Sequence, residues 1–148
     1  MFSLHAELRA LVVKLDEQRV PYALCGALAL AVHGYPRATL DIDLVALEGS
    51  GLQIRRCANE CGFTLKAAPM TFAAGQVRIE RWSKPIPEID DVLMLDVLTL
   101  APAIEHGLAT TLLEWGNLRL STLTRASLIQ LKRLRGSAQD LADIEKLQ

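Results

Sequence analysis

The residues best suited to chemistry in this sequence are two aspartates one residue apart, Asp41 and Asp43. Side chains in an extended strand alternate between the two faces of a sheet, so both carboxylates are expected on one face. Like charges held that close repel and raise each other's pKa unless a cation lies between them. Carboxylate oxygens are ligands of hard divalent cations, and the pair therefore predicts a metal site.

A third aspartate, Asp96, interrupts the apolar run from Val92 to Leu100. That run predicts a central strand buried on both faces, where an isolated ionised carboxylate would cost several kcal/mol. Asp96 is therefore expected to be paired, metal-bound or at an exposed strand end. If its strand is the neighbour of the Asp43 strand, three carboxylates converge, and such a set suits Mg²⁺ or Mn²⁺.

Pairing with arginine is the simpler alternative for each single aspartate, and Arg37, Arg78 and Arg81 are the candidate partners. The joint pattern favours a functional site instead. A glycine turn at Gly26 that enters a helix supplies phosphate binding, and the aspartates supply a metal clamp. A metal-dependent phosphatase or nuclease would use the same carboxylates, but the glycine turn followed by a helix favours nucleotide binding.

Helices and strands of regular hydrophobic period must position these residues. The first half is predicted to contain a helix from Leu4 to about Arg19, a strand over 22–25, a helix over 27–32, a strand from about 40 to 47, and a helix ended by Gly62. The second half is predicted to contain strands over 63–66, 76–82 and 92–100, a loop at Pro85 and Pro87, an irregular stretch after 102, an extended piece over 118–120, and two helices separated at Gly136-Ser137.

Composition restricts the class of protein. With 148 residues, 51% hydrophobic and 22% charged, one compact domain over 1–148 is expected, with a core at about 20–100 and a C-terminal helical part at about 121–148. Cytoplasmic location without membrane contact is expected, because no apolar run reaches about 18 residues and a signal-peptide pattern is missing. Three cysteines without Cys-x-x-Cys spacing predict reduced core thiols.

The segment from Leu24 to Leu44 resembles the nucleotidyltransferase superfamily typified by DNA polymerase beta. The signature of that superfamily is a Gly-Gly or Gly-Ser turn, an acidic-x-acidic pair and a third acidic residue on a later strand. The segment is most similar to the abortive-infection and minimal nucleotidyltransferases of bacterial toxin-antitoxin systems, and the likeness extends to Asp96 and to the tail at 128–132 and 140–144. It implies an α/β nucleotidyltransferase fold, with a mixed β-sheet flanked by helices and with C-terminal helices.

The resemblance also implies a role for each matching residue. Asp41 and Asp43 would be the ligands of two metal ions, Mg²⁺ or Mn²⁺, and Asp96 would help to activate the attacking hydroxyl. Gly26 and Ala27 match the turn that cradles the phosphates, although Ala27 stands where the family has glycine or serine, so the serine hydroxyl is absent. The nucleotide-binding set is completed by Arg37, Thr39 and Lys132. A solvated surface cation is the alternative for the two basic residues among them.

The implied activity is transfer of a nucleoside monophosphate from an NTP to a hydroxyl on a protein or an RNA, with release of pyrophosphate. A chain of this length has little beyond the catalytic core. The alternative is therefore a catalytically weak or inactive module of the same fold that binds a protein partner, with a cognate toxin or antitoxin as the expected one.

Overall fold

A computed structural model describes residues 1–36 and 38–148. The helices are α1 Leu4–Glu17, α2 Gly26–Val32, α3 Gly51–Glu60, α4 Pro102–Glu105, α5 Arg125–Arg135 and α6 Ala138–Leu147. The strands are β1 Tyr22–Cys25, β2 Asp41–Ala46, β3 Leu65–Lys66, β4 Met70–Phe72, β5 Val77–Ile86, β6 Asp91–Leu100, β7 Thr110–Trp115 and β8 Leu118–Leu123. Arg37 lies outside the described residues, so its part in nucleotide binding stays a prediction.

The described strands form one mixed sheet in the order β3-β5-β6-β2-β1-β8-β7, with β4 also paired to β5. The central strand β2 runs parallel to β6 and antiparallel to β1, and β1 runs parallel to β8. This arrangement confirms the predicted mixed sheet flanked by helices. It also makes β2 and β6 neighbours, which was the condition for the three aspartates to converge.

The hydrophobic core lies between the sheet and its helices, and α1 shows how the sequence builds it. Ser3 caps the helix by accepting a hydrogen bond from the backbone N–H of Ala6, at 3.1 Å. Its leucines at helical spacing, Leu8, Leu11 and Leu15, are fully buried. Within the part of the chain that the structure describes, no helix is long and apolar enough to cross a bilayer.

The C-terminal helices α5 and α6 are separated at Gly136-Ser137, as predicted. Thr124 caps α5 by accepting from the backbone N–H of Ser127, and Gly136 ends it in the left-handed conformation with φ +66°. Ser137 then starts α6 through a reciprocal capping box with Asp140. The two helices consequently meet in a tight turn, which brings their charged side chains together.

Two element predictions were wrong. The stretch after residue 102, predicted to be irregular, contains β7, which forms a hairpin with β8 through Gly116-Asn117. The two-residue Gly116-Asn117 turn between Trp115 and Leu118 was the available signal. Strand β5 also continues through Pro85, where a loop was predicted. Its partner β3 begins at Leu65, opposite Ser83, so from residue 84 onward β5 is a sheet edge, where proline is tolerated.

Candidate active site

The three aspartates are carried by two adjacent strands at the centre of the sheet. Asp43 of β2 lies directly opposite Asp96 of β6, and Asp41 precedes Asp43 by two residues on the same face. Neighbouring strands are about 4.8 Å apart, so the backbone hydrogen bonds fix the lateral spacing of Asp43 and Asp96. Thr39 holds the start of β2 because its Oγ1 accepts a hydrogen bond from the backbone N–H of Asp41, at 3.0 Å.

The aspartates line a cavity of about 200 Å³. Every predicted site residue that the structure describes also lines this cavity, namely Gly26, Ala27, Thr39, Asp41, Asp43, Asp96 and Lys132. Arg81, named above as a candidate partner of the aspartates, lines the cavity as well. Sequence reasoning missed three further polar or thiol residues of the lining, which are Cys25, Arg135 and Asp140. Two of them carried a signal: Ser137-x-x-Asp140 is a capping pattern, and it places an aspartate next to the basic end of the preceding helix, which contains Arg135.

Gly26 forms the turn between β1 and α2 and lies directly against the Asp43 side chain. Its φ of +69° lies in the left-handed region, which favours glycine. A Cβ added at this position would lie 2.7 Å from Cγ of Asp43, and the Asp43 carboxylate therefore fills the space that a side chain would need. The turn and the acidic strand are in van der Waals contact, and Gly26 is required by both its backbone and its neighbour.

Gly26→Ala is expected to destabilise the fold by about 2 to 4 kcal/mol, since strain in the left-handed region adds to a steric overlap with Asp43. Gly49 is the matched control, because its φ is +73° and a Cβ there would meet nothing within 4 Å. Gly49→Ala should lose only about 1 kcal/mol, the backbone contribution alone. Urea unfolding of both variants measures the difference. Equal losses would show that the Asp43 contact has no energetic weight.

Asp96 is not free in this structure. Arg81 of β5 lies opposite it in the β5–β6 pairing, and the guanidinium donates through Nε to Oδ1 at 2.8 Å and through Nη2 to Oδ2 at 2.9 Å. The Asp96 side chain is 8% exposed and that of Arg81 is 32% exposed. The arginine alternative raised for Asp96 is therefore observed, although Asp96 also lies beside Asp43.

Burial and mutual repulsion disfavour the charged forms of Asp41 and Asp43. Burial, then the charge of Asp96, raises the pKa of Asp41 above its ordinary value. Burial, with repulsion from Asp96 and Asp41, raises the pKa of Asp43 to about 7, against a smaller opposing effect of Lys132 and Arg135. The described residues place no hydrogen-bond donor or cation in direct contact with either carboxylate. In the metal-free protein Asp43 is therefore about half protonated near pH 7.

Helices α5 and α6 form the opposite wall of the cavity with paired charges. Lys132 is 9% exposed, and its Nζ lies 3.1 Å from Oδ2 of Asp143, so it is a buried ion-pair member rather than a solvated surface cation. Arg135 donates to both oxygens of Asp140, at 2.7 and 2.8 Å. Burial alone would raise the pKa of Asp140, but hydrogen bonds from Arg135 and Ser137 hold it at about 2. Although both cations are paired, their charges still act on Asp43, because Lys132 and Arg135 lower its pKa against the larger effect of burial.

The donor set at Asp41 and Asp43 fits a divalent cation. Two carboxylates on one strand face supply hard oxygen ligands, and Mg²⁺ is commonly held by one or two carboxylates together with water and substrate phosphates. Both oxygens of Asp96 accept from Arg81, and the positive charge of that guanidinium opposes binding of a cation by Asp96. The described part of the chain contains no ready-made group of three His, Cys, Asp or Glu ligands.

Known structures resemble this chain over nearly its whole length. TM1012 of Thermotoga maritima, a candidate nucleotidyltransferase, superposes with a TM-score of 0.67 at 15% identity, over 96% of this chain and 90% of its own. ANT(2'')-Ia, solved in complex with adenylyl-2''-tobramycin, gives 0.66 at 11% identity, over 96% and 86%. JHP933 from Helicobacter pylori gives 0.56 at 16% identity, over 97% and 63%. No protein-family model and no curated protein sequence matches the chain.

These superpositions show that the chain has the α/β nucleotidyltransferase fold. The predicted fold class is thereby confirmed. At 11 to 16% identity the likeness concerns the fold, so the chemistry of the site must be argued from its own residues.

Proposed function

We propose that the protein is a nucleotidyltransferase that moves a nucleoside monophosphate from an NTP to a hydroxyl on a protein or an RNA, with Mg²⁺ or Mn²⁺ as cofactor. The observation that carries the proposal is the in-register pair Asp43 and Asp96, with Gly26 packed against the Asp43 carboxylate. The shared fold supports the same activity at the level of class.

Asp41 and Asp43 would hold the cation, because among the described lining residues Asp96 and Asp140 are already paired with arginines. When bound, a divalent cation supplies charge neutralisation for the phosphates and for the departing oxygen. It would also neutralise the two carboxylates, which no arginine or lysine contacts within the described part of the chain. Their mutual repulsion in the metal-free state favours binding of a cation.

The remaining lining residues would bind the nucleotide and handle the proton. The first turn of α2 begins at Gly26 and Ala27. Neither residue has a polar side chain, so the backbone N–H groups of this turn would be its phosphate donors. Lys132 and Arg135 add positive potential from the opposite wall. Asp96 would accept the proton of the acceptor hydroxyl as the new oxygen–phosphorus bond forms and the bond to pyrophosphate breaks.

The similarity of the Leu24–Leu44 segment to abortive-infection nucleotidyltransferases supports a role in a toxin-antitoxin system. A cognate toxin or antitoxin would then be the physiological partner. Co-expression with the product of the adjacent gene, followed by co-purification, tests this part separately.

The test of the activity is incubation of the protein with each α-labelled NTP, Mg²⁺ or Mn²⁺, and a mixture of cellular RNA and protein. Pyrophosphate release together with label on a macromolecule is the expected result. Label that is sensitive to ribonuclease identifies an RNA acceptor, and label that is sensitive to protease identifies a protein acceptor. The absence of both products with all four NTPs would contradict the proposal.

A catalytically inactive module that binds a partner is the second candidate, and the Arg81–Asp96 pair favours it because the proton acceptor is occupied. Thermal unfolding in the presence of NTP and Mn²⁺ separates the candidates. A ligand that binds only the folded state raises the unfolding temperature even without turnover. A shift without transfer supports a nucleotide-binding module, and no shift with no transfer supports a module that binds protein alone.

A further inference from the structure

The Arg81–Asp96 pair has a feature that a purely structural ion pair does not need, which is access to the cavity. Both residues line the cavity, and about a third of the Arg81 side chain is exposed while the Asp96 side chain is buried. The guanidinium therefore covers the carboxylate from the side that faces solvent and ligand. The hydrogen bond to Asp96 and the charge of Asp96 raise the pKa of Arg81 most. The charges of Asp41 and Asp43 raise it further, so the guanidinium also interacts electrostatically with that pair.

The position of the pair within the sheet limits what can change. Arg81, Asp96 and Asp43 occupy one row across β5, β6 and β2, because each is the register partner of the next. The backbone ladder fixes Asp96 beside Asp43. Arg81 reaches Asp96 from β5, the strand next to the sheet edge, through a long side chain that two hydrogen bonds hold on the carboxylate. Asp96 can therefore be exposed to a cation by a side-chain movement of Arg81, without rearrangement of the sheet.

Charge decides when that movement is favourable. A bidentate guanidinium occupies both carboxylate oxygens and places a positive charge where a cation would have to bind. If a metal ion binds without a nucleotide, Arg81 loses its hydrogen bonds to Asp96 and gains no new anionic partner. A metal with a triphosphate brings excess negative charge into the cavity, and guanidinium binds phosphate oxygens in the same bidentate geometry.

We propose that Arg81 is a positioning residue that keeps Asp96 closed to divalent cations until a triphosphate draws its guanidinium away. The inference rests on the proposed function for the identity of the triphosphate. It adds that the metal-binding capacity of the site is held below its maximum by one arginine. In the nucleotide-free protein, Asp41 and Asp43 are then the carboxylates that remain available to a cation among the described residues of the cavity.

Mn²⁺ binding in the absence of nucleotide tests this directly, by titration calorimetry or by the electron paramagnetic resonance of free Mn²⁺. Arg81→Gln is expected to bind Mn²⁺ about 10-fold more tightly than the wild type, because a third carboxylate becomes available. Arg81→Lys keeps the charge but loses the bidentate fork, and it should show a smaller gain. Arg78→Gln is the matched control, since Arg78 lies on the same strand but pairs with Glu80 outside the cavity, and its affinity should equal that of the wild type.

A double-mutant cycle with Asp96→Asn separates a freed carboxylate from the simple loss of a positive charge. In the Asp96→Asn background, Arg81→Gln should give a gain of less than about twofold. The inference is overturned if Arg81→Gln does not tighten Mn²⁺ binding, or if it does so equally in both backgrounds. Should Arg81→Gln fail to fold, Arg81→Lys decides, and an affinity unchanged from the wild type overturns the inference.

The outcome is distinguishable from that of the proposed function, because no turnover is measured. Nucleotidyl transfer by the wild type with no gain in Mn²⁺ affinity for Arg81→Gln would reject the role of Arg81 alone. The expected gain without transfer by the wild type would reject the activity and retain the role of Arg81.

Discussion

Asp43→Asn should lower the rate of nucleotidyl transfer by about 10³-fold or more, as expected when a principal electrostatic contact of the transition state is lost. In metal-free buffer at pH 8 the same substitution should stabilise the fold. The carboxylate has a pKa of about 7 because of burial and repulsion from Asp96 and Asp41, so its ionised form is unfavourable there. A neutral carboxamide of the same shape removes that repulsion. Transfer assays and urea unfolding measure the two effects on one protein sample.

Asp91→Asn is the control for this result. Asp91 is exposed at the start of β6, on the strand that also carries Asp96. The substitution makes the same chemical change outside the cavity, and neither transfer nor stability should change appreciably. Retention of transfer by Asp43→Asn would exclude the carboxylate as a cation ligand. A loss of metal-free stability would show that the ionised carboxylate is compensated in the native protein.

The metal-free wild-type protein is expected to lose stability as the pH rises from about 4 to about 7. Asp43 binds its proton more tightly in the folded state, where its pKa is about 7, than in the unfolded chain, where it is 3.8. Between these values the unfolded chain has released the proton and the folded protein still holds it, so each pH unit lowers the free energy of unfolding by up to about 1.4 kcal/mol. Above pH 7 both states are ionised, and this contribution becomes constant at about 4 kcal/mol below its acid value.

Urea unfolding at pH values from 4.5 to 8 measures this slope, and the Asp43→Asn variant isolates it. The difference between the two proteins should grow with pH up to about 7 and then level off. Asp140 acts in the opposite direction, because its pKa of about 2 gives a stabilisation that is lost only as the pH falls below about 4. Saturating Mn²⁺ should flatten the wild-type profile. Parallel profiles for the two proteins would contradict the assigned pKa.

The local features of the site were predictable because short-range physics determines them. Strand periodicity placed Asp41 and Asp43 on one face, and the conformational freedom of glycine marked Gly26 as a turn residue. The Gly136-Ser137 pair likewise located the break between α5 and α6. Each of these inferences needs only a few consecutive residues.

The long-range features were not determined by such patterns. That Asp96 lies opposite Asp43, and Arg81 opposite Asp96, depends on which strands pair and in which register. A shift of one residue would turn Arg81 to the other face and leave Asp96 without a partner. Lys132 shows the same limit, because its own helix gave no sign that α6 supplies Asp143 as a buried partner. These pairings follow from the assembled sheet and helices.

The contact between Gly26 and the Asp43 side chain has a consequence for protein engineering. The glycine turn and the acidic strand are separate motifs in the sequence. In the structure the Asp43 side chain occupies the space that a side chain at residue 26 would need. Grafting the acidic strand onto another scaffold would therefore transfer only part of the machinery unless a glycine of the same backbone conformation faces it. A designer should transplant both segments together, with the β1–β2 register that sets their approach.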